Sequence, residues 1–273
     1  MRLFMARFLI LTGLLFLFNS PSANAAGFAR NANFMVFSPD NPSQEQGQLI
    51  AEYVLKRADE LRSEIAKNWL GSEIPTGIGR ASINVNFNPG EESALTWAKD
   101  RADRKLHAVY LRTTPDRVQQ AVEEMLPHEV VHVVLATRFP HPNRLPVWTE
   151  EGIASRYDDA QRMTLRRETV RWWTQTDNWP QLATLFDAKN LHANDANGYA
   201  AAASLVEFLL SRGDEQTLLA FAVAGNSNGQ SNDWDAALKT YYQIHDATHL
   251  QNEWQTWVKE ADRVAIQRHS LSR

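Results

Sequence analysis

The chain of 273 residues contains no cysteine. It therefore has no disulfide bond and no thiol that could serve as a nucleophile or a metal ligand. After residue 25 there is also no apolar run of the roughly 20 residues that a membrane-spanning helix needs. Stability must come from a hydrophobic core, and about 250 residues are enough to build one.

The N-terminal residues have the pattern of a secretory signal peptide. Arg2 and Arg7 precede an apolar run of 11 residues, 8–18, and the small-residue stretch Ala23-Asn24-Ala25 follows. This pattern predicts a signal peptide over 1–25, cleaved after Ala25. We therefore expect an exported protein, periplasmic or secreted, without a stable membrane anchor after cleavage. An uncleaved N-terminal anchor is the alternative.

The expected mature chain is acidic. Without Arg2 and Arg7 it has 26 Lys and Arg against 32 Asp and Glu, a net charge of −6. An acidic surface repels phosphate backbones, so nucleic acid is not the expected partner.

Hydrophobic periodicity predicts an α+β fold. Strands are predicted at 33–37, 81–87 and 107–111, and a long helix over 44–70 with Ser43 as its N-cap. Residues 91–106 are mixed and charged, which favours a loop with some helix. Further helices are predicted at 162–177, 199–210 and 234–242, and from Thr248 on, where Thr248 and Gln251 would form a capping box.

The expected arrangement has two lobes. A small sheet and the central helix described next would form an α+β lobe over 26–160, and the helices that follow would form a second lobe over 161–273. A functional cleft is expected between the two lobes.

The segment His128-Glu129-Val-Val-His132 has the pattern H-E-x-x-H. In a helix, residues four apart lie on one face, so the two imidazoles can converge on one Zn²⁺ ion. Glu129 lies about 100° further round the helix, beside that point, where a carboxylate can act as a general base. Pro127 predicts either a kink or two abutting helices just before the motif. A structural core helix with hydrogen-bonded histidines is the alternative interpretation.

A catalytic zinc site needs a third protein ligand. The metzincin pattern requires glycine and histidine where this chain has Leu135 and Arg138, which excludes that class. A glutamate on a following helix is the other possibility, and only one of Glu150 and Glu151 can face the metal. Packing favours Glu151, because the small residue next to it, Gly152, would let its helix approach the motif helix.

The two motifs together resemble a known family. The segments His128-Glu-Val-Val-His-Val-Val-Leu135 and Pro146-Val-Trp-Thr-Glu-Glu-Gly-Ile-Ala154 are similar to the pattern H-E-x-x-H-x-x-L, proline-containing loop, P-x-W-x-x-E-G-x-A. This is the pattern of gluzincin metallopeptidases, and more narrowly of the exported bacterial proteins grouped as peptidase MA-like. The similarity extends over most of 33–260.

The resemblance implies a zincin-like fold and Zn²⁺-dependent hydrolysis of a peptide or protein substrate. His128, His132 and Glu151 would bind the metal, and Glu129 would take a proton from the attacking water. Tyr199, which opens a helix at the matching place, would help to stabilise the oxyanion.

The chain departs from thermolysin-type gluzincins at one position. Four residues past the metal glutamate it has Ser155 where they have an aspartate that orients a histidine ligand. Asp158 or Asp159 could substitute for that aspartate. The strand at 107–111 is expected to hold extended substrate by edge pairing. A non-catalytic envelope protein that keeps the scaffold for partner binding is the alternative function.

The first testable prediction concerns export. N-terminal sequencing of the protein recovered from outside the cytoplasm should return Ala26 as the first residue, because the small residues at 23 and 25 define the cleavage site. Recovery of a chain that still begins at Met1 would contradict the predicted cleavage.

Overall fold

A computed structural model describes residues 25–39, 43–88, 93–101, 104–140, 143–192, 194–226 and 233–271. The predicted signal peptide lies outside these residues, except for Ala25. The described chain is a mixed α+β structure with a small sheet near the N-terminus followed by helices, which confirms the predicted class. Among the described residues, no helix combines the length and the apolar character needed to cross a bilayer.

The sheet has five strands in the order β1-β2-β3-β5-β4. The strands are β1 (Ala25–Arg30), β2 (Phe34–Pro39), β3 (Ala81–Phe87), β4 (Ser93–Arg101) and β5 (Arg104–Thr113). The three central strands β2, β3 and β5 are parallel, and each edge strand pairs antiparallel with its neighbour. The free edge on the side of the motif helix therefore belongs to β4.

Two sequence predictions about the sheet are wrong. The region 91–106 is not loop and helix, because Ser93–Arg101 forms β4 and β5 already starts at Arg104. Among the described strands, β4 pairs with β5 alone, and this pairing sets an extended conformation that the mixed sequence of β4 does not itself indicate. The predicted strand at 107–111 lies inside β5, between β3 and β4, and its edges are not free to bind an extended peptide.

One helix lies between β2 and β3, and the other described helices follow β5 and fill the C-terminal half. They are α1 (Gln44–Leu70), α2 (Val118–Glu124), α3 (Leu126–Arg138), α4 (Val147–Ala154), α5 (Ala160–Thr176), α6 (Leu182–Asp187), α7 (Ala196–Leu210), α8 (Glu215–Gly225), α9 (Trp234–Tyr242) and α10 (Ala247–Leu271). A single turn of 3-10 helix, Ser155–Tyr157, connects α4 to α5. The division into lobes at residue 160 stays a prediction.

Helix α1 has the ends that its sequence predicts. The Ser43 side chain accepts a hydrogen bond from the amide of Gln46, and Gly71 adopts the left-handed conformation with φ 71°. The buried face of α1, which includes Val54, Leu61 and Ile65, packs against β1, β2 and α3. The helix thus fixes α3 relative to the sheet.

Proline separates α2 from α3 as expected. Pro127 lies in the first turn of α3, where the amide that it lacks has no partner within the helix, and Met125 breaks the chain of helical residues with φ −114° and ψ −37°. The outcome is two abutting helices, and the second one starts just before His128.

Helix α10 begins differently from the prediction. Its first turn is capped by Asp246, whose carboxylate accepts from the amide of His249 at 2.8 Å. Gln251 instead accepts from the amide of Leu182 and donates to the carbonyl of Pro180. The predicted capping box of Thr248 and Gln251 is therefore wrong, because an aspartate two residues earlier supplies the cap.

Glycine at position 152 brings α4 against α7. A Cβ atom at Gly152 would lie 2.5 Å from both the carbonyl oxygen of Ala202 and the Cγ2 of Val206. The sequence prediction assigned the small residue to the contact between α4 and α3; the structure shows that it serves the contact with α7. This contact fixes the helix that carries Glu150 and Glu151.

We expect Gly152→Ala to destabilise the protein by about 1–3 kcal/mol, since the added methyl overlaps backbone atoms that cannot move independently. Denaturant unfolding of wild type and variant would measure the difference in free energy of unfolding. An unchanged midpoint and slope would show that α4 and α7 can separate without cost.

Candidate metal centre

Helix α3 brings two histidine rings together. The Nε2 atoms of His128 and His132 lie 3.3 Å apart, as the four-residue spacing predicts. The residues around His132 on this helix, Val130, Val131, Val133, Val134 and Leu135, are apolar and fully buried. The motif helix is therefore a core helix whose polar side chains converge at one point.

Helix α4 adds a carboxylate at the same point. The Oε2 atom of Glu151 lies 3.6 Å from Nε2 of His128 and 3.7 Å from Nε2 of His132. Ligand atoms at about 2.0–2.1 Å from a tetrahedral zinc ion are about 3.3–3.4 Å apart, so the three distances suit that ion. Oε2 of Glu151 is buried and has no hydrogen-bond partner among the described residues, which a cation would satisfy.

The neighbouring glutamate lies on the other side of the ring. Oε2 of Glu150 is 4.0 Å from Nδ1 of His132, the nitrogen that faces away from the shared point. Burial raises the pKa of Glu150 to about 7, although the positive charge of Arg144 opposes this effect. The two consecutive glutamates thus reach opposite nitrogens of the same ring.

Asp158 contacts the outer nitrogen of the other histidine, His128. Its Oδ1 atom is 3.0 Å from Nδ1 of His128, and its carboxylate is paired with Arg162, at 3.3 Å, and with Arg166. Burial alone would raise the pKa of Asp158, but the contact with His128 and the two arginines hold it below its ordinary value. Asp158 and Asp159 were the two candidates to replace the aspartate that is absent at Ser155. Asp158 contacts the histidine ring, whereas Asp159 caps α5 and pairs with Arg162.

The carboxylates favour a positive charge at the shared point. Burial acts to lower the pKa of both histidines. For His132 burial outweighs the opposing effect of Glu151, and the pKa is lowered. For His128 the carboxylates of Asp158 and Glu151 outweigh burial and raise the pKa. A divalent cation held by the two Nε2 atoms and Glu151 would supply the charge that these carboxylates select.

Glu129 lies beside the shared point and is held by a strand. Its side chain is buried, and its Oε2 atom accepts a hydrogen bond of 2.5 Å from the hydroxyl of Thr96 on β4. Sequence reasoning missed Thr96, because residues 91–106 were expected to be loop and helix. The only sequence signal available was a strand-favouring segment around 93–97.

These side chains line a cleft of about 530 Å³. Its walls come from β4, α3, the loop before α4, α4, α5 and the start of α7. Tyr199 is part of this wall, in the first turn of α7, which begins at Ala196. Burial, together with the negative charges of Glu151 and Glu129, raises the pKa of Tyr199 to about 12, so its hydroxyl stays protonated and able to donate.

A second group of possible ligands lies on the surface. His245 and His249 each place Nδ1 within 2.9 Å of the carboxylate of Asp246. That carboxylate caps α10, and the positive end of the helix dipole disfavours a cation there. These contacts are those of a helix cap.

Comparison of the chain with protein-family models and with curated proteins gave no match. The assignment of chemistry to the cleft therefore depends on its own geometry.

The ligand set can be tested by metal analysis. His128→Ala, His132→Ala and Glu151→Ala should each lose bound zinc and the rise in melting temperature that zinc gives the wild type, because each removes one of three converging ligand atoms. Glu150→Ala is the matched control and should retain one zinc per chain, with affinity reduced about tenfold at most. Loss of zinc in Glu150→Ala but not in Glu151→Ala would reverse the assignment.

Proposed function

We propose that the protein is an exported zinc-dependent peptidase of the gluzincin type. The observation that carries this proposal is the convergence of His128, His132 and Glu151 with an uncoordinated carboxylate, Glu129, beside them in an open cleft. A structural zinc site has four protein ligands, whereas three ligands leave one position for a reactant. A base next to that position serves hydrolysis.

His128, His132 and Glu151 would hold the ion, and Asp158, whose Oδ1 is 3.0 Å from Nδ1 of His128, would keep Nε2 of that ring directed at it. Bound zinc would make water more acidic and would polarise the scissile carbonyl. Glu129 would accept the proton from the attacking water and transfer it to the leaving amine. The bond from Thr96 fixes one carboxylate oxygen of Glu129 and leaves the other for this proton.

Tyr199 is proposed as the donor to the oxyanion of the tetrahedral intermediate. Its hydroxyl stays protonated because its pKa is raised to about 12, and a protonated donor in a partly dehydrated cleft stabilises developing negative charge. The ring is fixed by α7 and by Arg166, whose guanidinium carbon is 5.9 Å from the ring centre.

The substrate chain is proposed to pair with β4. Ala94, Leu95 and Thr96 of this strand line the cleft, and in the part of the chain that the structure describes the strand pairs with β5 alone. An extended peptide can add to the free edge by backbone hydrogen bonds, which are independent of side-chain identity. A peptide paired in this way would have its scissile bond near Glu129, which Thr96 contacts from the same strand.

Glu129→Gln separates metal binding from catalysis. The variant should retain zinc, because Glu129 contributes no atom to the ligand set, and should lose about 10²–10⁴-fold in turnover of an unstructured protein substrate, the usual contribution of a positioned base. Zinc per chain and initial rates of cleavage would be measured together. Glu124→Gln, which changes an exposed glutamate of α2 in the same way, is the control and should match the wild type.

Retained zinc with unchanged turnover in Glu129→Gln would contradict the mechanism. Absence of cleavage by the zinc-loaded wild type across a broad peptide library would favour a non-catalytic protein that uses the scaffold to bind a partner.

A further inference from the structure

Three arginines line the cleft, and two of them have carboxylate partners. Arg162 and Arg166 both pair with the buried Asp158, and Arg162 also lies 3.4 Å from Asp159. Their charges are therefore used to hold α5 beside the metal centre. Arg144, on the loop between α3 and α4, is the third.

The Arg144 side chain has no carboxylate within 4.0 Å and no hydrogen bond in the part of the chain that the structure describes. It is nevertheless partly buried in the cleft wall. The positive charge of Arg144 acts to lower the pKa of Glu150, but the two side chains do not form an ion pair. A partly buried guanidinium that lacks a partner gains more from an added anion than a fully solvated one does.

The backbone at Arg144 is held in place. Its carbonyl oxygen accepts a hydrogen bond of 2.8 Å from the Asn226 side chain. The next residue, Leu145, is only 3% exposed, and Pro146 is the N-cap of α4. The side chain therefore projects from a fixed point next to the helix that carries Glu150 and Glu151.

We propose that Arg144 binds a carboxylate of the substrate and makes anionic peptides the preferred substrate class. The planar guanidinium suits a carboxylate because it can donate two parallel hydrogen bonds. Either an acidic side chain or the C-terminal carboxylate of a peptide provides this group. The inference rests on the proposed peptidase function, since it assigns the substrate of that cleft.

The test measures binding without turnover. Zinc-loaded Glu129→Gln protein would be titrated with two matched pairs of fluorescent peptides, one differing by Glu against Gln at an internal position, the other by a free against an amidated C-terminus. At least one carboxylate peptide should bind about 10- to 100-fold more tightly than its uncharged partner, as expected for hydrogen bonds to a charged group.

Arg144 variants in the same background identify the cause of the preference. Arg144→Gln should reduce the ratio of affinities to about 1, and Arg144→Lys should retain only part of it, since lysine has the charge without the fork. Arg138→Gln removes the same charge from an exposed position at the end of α3 and should leave the ratio unchanged. Melting temperatures would establish that each variant is folded.

The peptide pair that shows the preference identifies the source of the carboxylate. An equal ratio in the parent and in Arg144→Gln, no preference in either pair, or no binding of any peptide would overturn the inference. Cleavage of uncharged and acidic peptides at equal rates would leave the peptidase and remove the role of Arg144. If the wild type cleaves nothing but still shows a preference that depends on Arg144, the role of Arg144 in binding would stand and the proposed peptidase activity would be wrong.

Discussion

Two imidazole rings and a carboxylate converge among largely apolar, buried helices, and the surrounding structure has to compensate for them. Buried polar atoms cost free energy unless they are bonded. Nε2 of His128, Nε2 of His132 and Oε2 of Glu151 face one another at 3.3–3.7 Å. A cation satisfies all three atoms together, which no single hydrogen bond among them can do.

Different elements of the fold place polar side chains around this point. Nδ1 of His128 lies 3.0 Å from Asp158, which precedes α5, and Nδ1 of His132 lies 4.0 Å from Glu150 on α4. The carboxylate of Glu129 meets Thr96 on β4. The sheet, the motif helix and the first helices of the C-terminal half are therefore all needed to assemble one small cluster.

Local spacing made part of this arrangement predictable. The four-residue interval of the motif places His128 and His132 together in any helix, and Pro127 indicates where that helix begins. Contacts between segments that are distant in the sequence were harder to predict. Glu151 and Asp158 could be named as candidates, but only the tertiary structure distinguishes Asp158 from its neighbour, and Thr96 acts through a strand whose conformation depends on pairing with β5.

The pairing of Asp158 with Arg162 and Arg166 has a thermodynamic consequence. One carboxylate joins the ring of His128 to successive turns of α5. If His128 binds the proposed metal, the position of that helix and the occupancy of the site would depend on each other. Linkage of this kind is reciprocal. A solute or partner that stabilises the docked position of α5 would then tighten binding of the proposed metal by the same factor by which the metal would stabilise that position, even if it never entered the cleft.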